Sequence, residues 1–204
     1  MIKITYKPSM LFNYKLHTDS NLNARTYTYI TPSAIKSAIL GQVICLDGID
    51  KAKELFERIK KLNVKTIINN NYSKTQFHIR RFGNSYYDTK EPKNVKTMGI
   101  REYAHIDRIE FLIDNIEGLE VYFKNINYLG ASDSFVYLSD IQEVNSYENV
   151  LEEISGDIDE DKEIYTIYDW DDKAKFEDIY MYSKKKKGYD FKYKKILCNL
   201  TNLQ

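Results

Sequence analysis

Cysteine is scarce in this chain, and the two present, Cys45 and Cys198, stand far apart with no histidine beside either. That spacing excludes a zinc framework of cysteine pairs and gives no reason to expect a disulfide, so both read as small buried hydrophobes. Long apolar runs are missing too, and no transmembrane helix is expected. The opening "MIKITYKPSM" has no secretory apolar stretch, which points to a cytoplasmic protein. A Gly-rich phosphate loop, a nucleophile elbow and metal-ligand spacing are likewise absent. No cofactor, metal, membrane or small-molecule substrate is therefore expected. The short signature of the common RNA-recognition motif is only brushed by "RRFGNSYY" (80–87).

Net charge is also missing, since 30 Lys/Arg balance 30 Asp/Glu, but the balance conceals a division. Residues 1–113 carry 19 basic against 10 acidic side chains, 114–183 carry 4 against 19, and 184–204 carry 7 against 1. Segregation of this kind points to one surface that faces a polyanion and another that is acidic.

What is present is a succession of short periodic segments. "IKITY" (2–6) alternates as a strand, and "TYTYI" (26–30) reads as another. Thr31-Pro32 is a helix entry, Thr as cap and Pro in the first turn. Ile35, Ala38, Ile39 and Val43 then share one helical face, with Gly41 inside it as a point of close packing. Asp47-Gly48 breaks the chain before a second helical stripe, Leu55, Ile59 and Leu62, which Asn63 is placed to end in a left-handed conformation. Strands follow at 64–68 and 75–82, or one long interrupted strand over both, then a strand at 101–113, a short helix near 119–126, and a strand at 134–138. The order through residue 144 is β-α-β-β-α-β, that of the ferredoxin-like fold, whose open sheet face is free to meet RNA. The expected class is α+β. A domain over 1–144 carries a basic loop at 83–98. A smaller β-rich extension over 145–204 holds an acidic segment, read as a helix plus a loop, and a hairpin tipped by "KKKKG" (184–188).

The candidate binding residues are cations interleaved with aromatics. Arg80 and Arg81 precede the loop that bears Lys90, Lys93 and Lys96, and Tyr86 and Tyr87 in that loop suit stacking on unpaired bases. Arg25, Lys36 and Arg101 complete the set. On an alternating strand Arg101, Tyr103 and His105 share a face, with Glu102 opposite. That row holds a cation, a hydroxyl and an imidazole, the parts of a metal-independent RNA-cleaving site, and it is the alternative reading.

Three stretches in order resemble one family. "YITPSAIKSAILGQVI" (29–44), "GIREYAHIDRIEFLI" (99–113) and "INYLGASDSFVYL" (126–138) are similar to the Pro-Ser-Ala helix, the Arg-Glu-aromatic strand entry and the Leu-Gly turn of the Cas-five proteins. These belong to the RAMP superfamily and serve CRISPR RNA-guided surveillance complexes. The pattern positions matched are Pro32, Gly41, Arg101, Glu102, Tyr103 and Gly130, of which Arg101 is the RNA candidate. The resemblance implies a RAMP domain whose basic loop is a β-hairpin thumb. It implies an antiviral-defence subunit of a type I complex (Cascade) that grips the 5′ handle of the CRISPR RNA and caps the backbone filament. The implied partners are that RNA and the backbone and large subunits. It also implies no catalysis: the motif of the RNA-cutting members is not recognisable, which leaves a metal-independent endoribonuclease as the alternative. One departure is "GASDS" (130–134), where Asp133 stands near the place many members give to a basic residue.

Overall fold

The computed structural model describes residues 1–20, 23–85, 93–155, 163–180 and 193–203, with backbone alone for 80–85, 93–98, 202 and 203. Its largest sheet takes β1 (Ile2–Pro8), β3 (Val64–Thr66), β6 (Ile109–Ile113) and β7 (Val136–Glu143) in the order β3-β6-β1-β7, every pair antiparallel. Alternation decides what each strand buries. Ile4 and Tyr6 of β1 and Phe111 and Ile113 of β6 face the helices and are fully buried. Two helices cover that side, α1 (Pro32–Lys61) and α2 (Glu120–Asn125). The Tyr6 hydroxyl donates to the Phe123 carbonyl at 2.6 Å and so ties the sheet to α2.

Helix α1 opens where Thr31-Pro32 predicts, although the Thr31 hydroxyl bonds Tyr14 and Ser33 hydroxyls rather than a backbone N–H. Gly48, at φ 87°, bends it, and both halves then keep their stripes inward: Ile35, Ile39 and Val43 before the bend, Ala52, Phe56 and Ile59 after it. A left-handed φ strains any residue with a Cβ, so the bend falls on glycine. Asn63 is not left-handed; the helix ends at Leu62, φ −57°. Gly41 packs nothing closely, since a Cβ there would meet no atom within 4 Å.

The opposite face of the large sheet is less open than the sequence reading expects. Leu112 is buried there beneath Ile67 and Val150, and ion pairs Lys3–Glu110 and Lys65–Glu152 lace it. Val150 comes from β8 (Tyr147–Glu153), a strand where the acidic segment is expected to be helical. With β9 (Tyr165–Trp170) and β10 (Tyr193–Leu203) it forms a second sheet, β8-β10-β9. Strand β10 therefore pairs with β8 and β9, and the segment expected to be its hairpin partner contains α3 (Phe176–Ile179). The tip at 184–188 lies outside the described residues. Trp170, Phe176 and Ile179 join the same core as Ile4 and Phe56, so hydrophobic packing crosses residue 144.

The third sheet is the one that projects. Strands β4 (Tyr72–Ser85) and β5 (Lys93–Ile106) pair antiparallel over their whole length, with β2 (Asn23–Ala24) parallel along β5. "TYTYI" is not a strand; Thr26 makes a single bridge to Lys15. The expected strand 101–113 is two, because polar Asp107-Arg108 interrupts it: Asp107 accepts from the Asn71 amide, and Arg108 pairs with Glu110. Cys198 is buried as expected, but Cys45 is exposed on α1. Among the described residues no helix is long and apolar enough to cross a membrane.

Candidate nucleic-acid interface

The register of the β4–β5 ribbon sorts its residues onto two faces. Phe77, Thr75 and Ser73 lie opposite Arg101, Tyr103 and His105, without a bulge, so all six share a face. Phe77 is 45% exposed, and its ring meets Tyr103 edge to face at 5.4 Å. Among the described residues no hydrogen bond or ion pair meets the Arg101 guanidinium, and such a group can fork onto an anion. The Tyr103 hydroxyl donates to Asp133 at 3.1 Å, and His105 is exposed beyond it.

The other face is a clamp. Glu102 accepts from the Thr26 N–H at 3.0 Å and the Lys74 ammonium at 2.9 Å, while Lys74 also donates to the Thr26 carbonyl. Burial pushes the Glu102 carboxyl pKa up, but the Thr26 N–H and Lys74 outweigh it and hold it below the ordinary value. The Asn13 side chain donates to the Glu102 carbonyl at 2.6 Å, and its backbone N–H and C=O exchange hydrogen bonds with the Ser134 hydroxyl. Loop 130–134 is thereby fixed beside β5. Gly130 makes this possible: at φ 80° it passes so near that a Cβ would lie 2.8 Å from the Asn13 carbonyl oxygen.

Two of the candidate cations are committed within the protein. Lys36 is 2% exposed, and it donates to Asp169 at 2.8 Å and to the Lys60 carbonyl at 2.9 Å. It does not reach a surface where phosphate passes. Arg25 is exposed but grips both Asp19 carboxylate oxygens, which holds the Asp19 pKa below its usual value. The backbones of Arg80, Arg81, Lys93 and Lys96 lie on the ribbon, Arg80 opposite Met98 and Ser85 opposite Lys93. Lys90 lies outside the described residues. A hollow of about 920 Å³ opens at the foot of the ribbon, where Lys3 and Arg108 already pair with Glu110 and Glu148 adds negative charge. It has no surplus cation for a polyanion.

No family model matches the chain. A CRISPR-associated protein Cas5 of Archaeoglobus fulgidus is 28% identical over 197 residues, 90% of this chain and 86% of that protein. The chain is thus similar to a CRISPR-associated protein over nearly its whole length. Among solved structures, a CRISPR protein from Archaeoglobus fulgidus superimposes with TM-score 0.49 at 11% identity, covering 100% of this chain and 87% of that one. The Csm3-Csm4 subcomplex of the type III-A CRISPR-Cas interference complex gives TM-score 0.47 at 14% identity, with 100% and 93% covered.

The alternation of 101, 103 and 105 locates a shared face of the ribbon, whereas two residues beside it are not placed there by the sequence reading. Phe77 is one; an apolar residue at an outward position of "TQFHIRRF" is the signal that points to it. The other is Asp133, whose bond with Tyr103 spans 30 residues and has no local signature.

Proposed function

We propose that the chain is a non-catalytic RNA-binding subunit of a type I CRISPR complex, holding the 5′ handle of the CRISPR RNA and capping the backbone filament. The larger sheet and its two helices are read as the ferredoxin-like RAMP domain, supported by the order β3-β6-β1-β7. The β4–β5 ribbon is read as the thumb that reaches RNA. One observation carries the reading: an unpartnered Arg101 sits on a ribbon face with the exposed ring of Phe77 and the ring of Tyr103, in a homologue of a CRISPR-associated protein. A guanidinium meets phosphate and the rings meet unpaired bases, a pairing suited to single-stranded RNA. The RNA thus moves from an open sheet face to the ribbon, because the sheet's far side is filled around Leu112.

The test is binding of repeat-derived RNA to the purified chain across a salt series. Removing one phosphate-binding cation lowers the slope of log affinity against log salt by about 0.7 for a single strand. Arg101→Ala is expected to lower the slope by about that much, and Arg25→Ala, whose charge Asp19 already meets, by less. Salt-independent binding, or none, would end the proposal.

A further inference from the structure

A cavity of about 230 Å³ lies where α1 begins, bounded by Tyr14, His17, Ser37, Tyr128, Gly130 and Tyr193. Its floor is made of small side chains of α1, Ala34 and Ala38 beside Ser33 and Ser37, and its walls are aromatic. The His17 ring stands edge to face with both Tyr14 and Tyr193, at 5.9 and 5.8 Å, and is fixed from outside by stacking on Tyr168 at 4.1 Å. Among the described residues no Asp, Glu, Lys or Arg lines it. The Ser37 hydroxyl makes no hydrogen bond among the described residues, and Tyr128 is 44% exposed at the rim.

These properties select a ligand. A lining without ionic side chains has nothing to balance a phosphate or a carboxylate, so the occupant is neutral. Parallel and perpendicular rings favour a planar partner with a π-face. Pockets for drug-sized molecules run from about 300 Å³ upward, so this one takes a single heterocycle. A free hydroxyl on the floor offers that heterocycle's edge one donor and two acceptor positions.

We propose that this cavity is a slot for one unpaired nucleobase, turned out of an RNA strand whose phosphates lie along the β5 face. The inference rests on the RNA-binding reading above and deepens it. Chain continuity joins the two places. Tyr14 in the slot follows Asn13, which bonds Glu102 of β5, and Gly130 in the slot leads to Asp133, which bonds Tyr103. These bonds hold the slot-lining residues Tyr14 and Gly130 close to β5 in the fold, and in this proposal a strand that meets Arg101 turns one base into the slot, between rings that are already assembled. Nucleobases held this way stack on Tyr or His and are read along their hydrogen-bonding edges. Burial of the His17 ring, reinforced by Lys15, holds its pKa below the usual value, which keeps the wall neutral at physiological pH.

The experiment compares the full chain with Ser37→Leu, which fills the slot from a helical position with a good helix former, and with Tyr128→Ala, which removes rim at an exposed site. Thermal melting checks that both stay folded. The probes are fluorescein-labelled repeat-derived RNA octamers, intact or with one nucleotide at a time made abasic, and free adenosine and uridine at millimolar concentration as competitors. In the unmodified chain one abasic position is expected to cost about tenfold in affinity, the scale of one base stack. Ser37→Leu is expected to bind intact RNA about that much more weakly and to lose sensitivity to that abasic position, and Tyr128→Ala to show a smaller loss of both. Arg101→Ala weakens every octamer alike and preserves the sensitivity. The slot is overturned, with RNA binding intact, if Ser37→Leu binds the intact octamer as the unmodified chain does, or if the abasic penalty persists in it. Binding of free nucleoside that Ser37→Leu abolishes, while no abasic position matters, overturns the strand-borne occupant. Absence of any RNA binding removes the parent reading instead.

Discussion

Lys36 Nζ lies 2.8 Å from Asp169 Oδ2, with Lys36 2% and Asp169 15% exposed, so a cation of the basic half is buried on an anion of the acidic half. Lys65–Glu152 likewise pairs a lysine of that half, on the large sheet, with a carboxylate of the second sheet, at a partly exposed site. Part of the charge segregation along the chain is thus internal complementarity, which joins α1 and the large sheet to the second sheet. Breaking a buried pair from one side leaves the other charge without compensation, which costs more than the pair contributes. Lys36→Ala is expected to destabilise the chain by about 3 kcal/mol, measured by urea unfolding, and Lys36→Met with Asp169→Leu to recover most of that. A double variant no more stable than Lys36→Ala would mean that the second charge carries no penalty.

The Glu102 clamp gives the protein a dependence on acid. Its carboxyl pKa in the folded state lies below the ordinary value, so the stability it contributes is present above the unfolded pKa of about 4.3 and is lost as pH falls through the folded one. Urea midpoints are expected to fall as pH drops from about 5 toward 3, with a shallower fall in Glu102→Gln. The variant also loosens Lys74 and Thr26, so hydrogen exchange at the Thr26 N–H should accelerate.

Two glycines predict opposite outcomes for the same substitution. At Gly130 the left-handed φ opposes alanine, and so does the Asn13 carbonyl oxygen, a backbone atom 2.8 Å from where the new Cβ would stand. Gly130→Ala is expected to destabilise by more than about 1 kcal/mol. At Gly41 the helix is regular and the space empty, so Gly41→Ala should stabilise by about 0.5–1 kcal/mol. Thermal melts of both variants decide it.

The same contrast shows what the sequence could say. Period-two and period-four apolar spacing carries Ile4 and Tyr6 of β1, the stripes of α1, and Gly48 as the break between them, because those patterns are local. Residues 147–153 escape such a reading because "YENVLEE" suits a helix, and only pairing with β10, some fifty residues on, makes it a strand. Phe176–Ile179 escapes it likewise, its apolar pair being drawn against Phe56 and the core. Lys36 looks like any helical lysine until Asp169 arrives from 133 residues away. On the candidate interface, Arg101 and Tyr103 are legible from alternation, while Phe77 needs the β4–β5 register and the aromatic cavity needs Tyr193 from the far end of the chain.

Asp133 supplies the last prediction, since it brings a negative charge to a face proposed to meet phosphate. Its carboxylate accepts the Tyr103 hydroxyl, next to Phe77 and on the face of Arg101. Asp133→Asn keeps an acceptor for that hydroxyl through its amide oxygen and removes the charge, so the ring and loop 130–134 should stay in place. Repulsion of the RNA backbone then falls. At low salt the variant is expected to bind repeat-derived RNA about two- to fivefold more tightly, and the gain should vanish near 1 M salt, where the Debye length is only about 3 Å. Unchanged affinity at low salt would place the phosphates away from Tyr103, and a gain that survives high salt would assign Asp133 a conformational role instead of an electrostatic one.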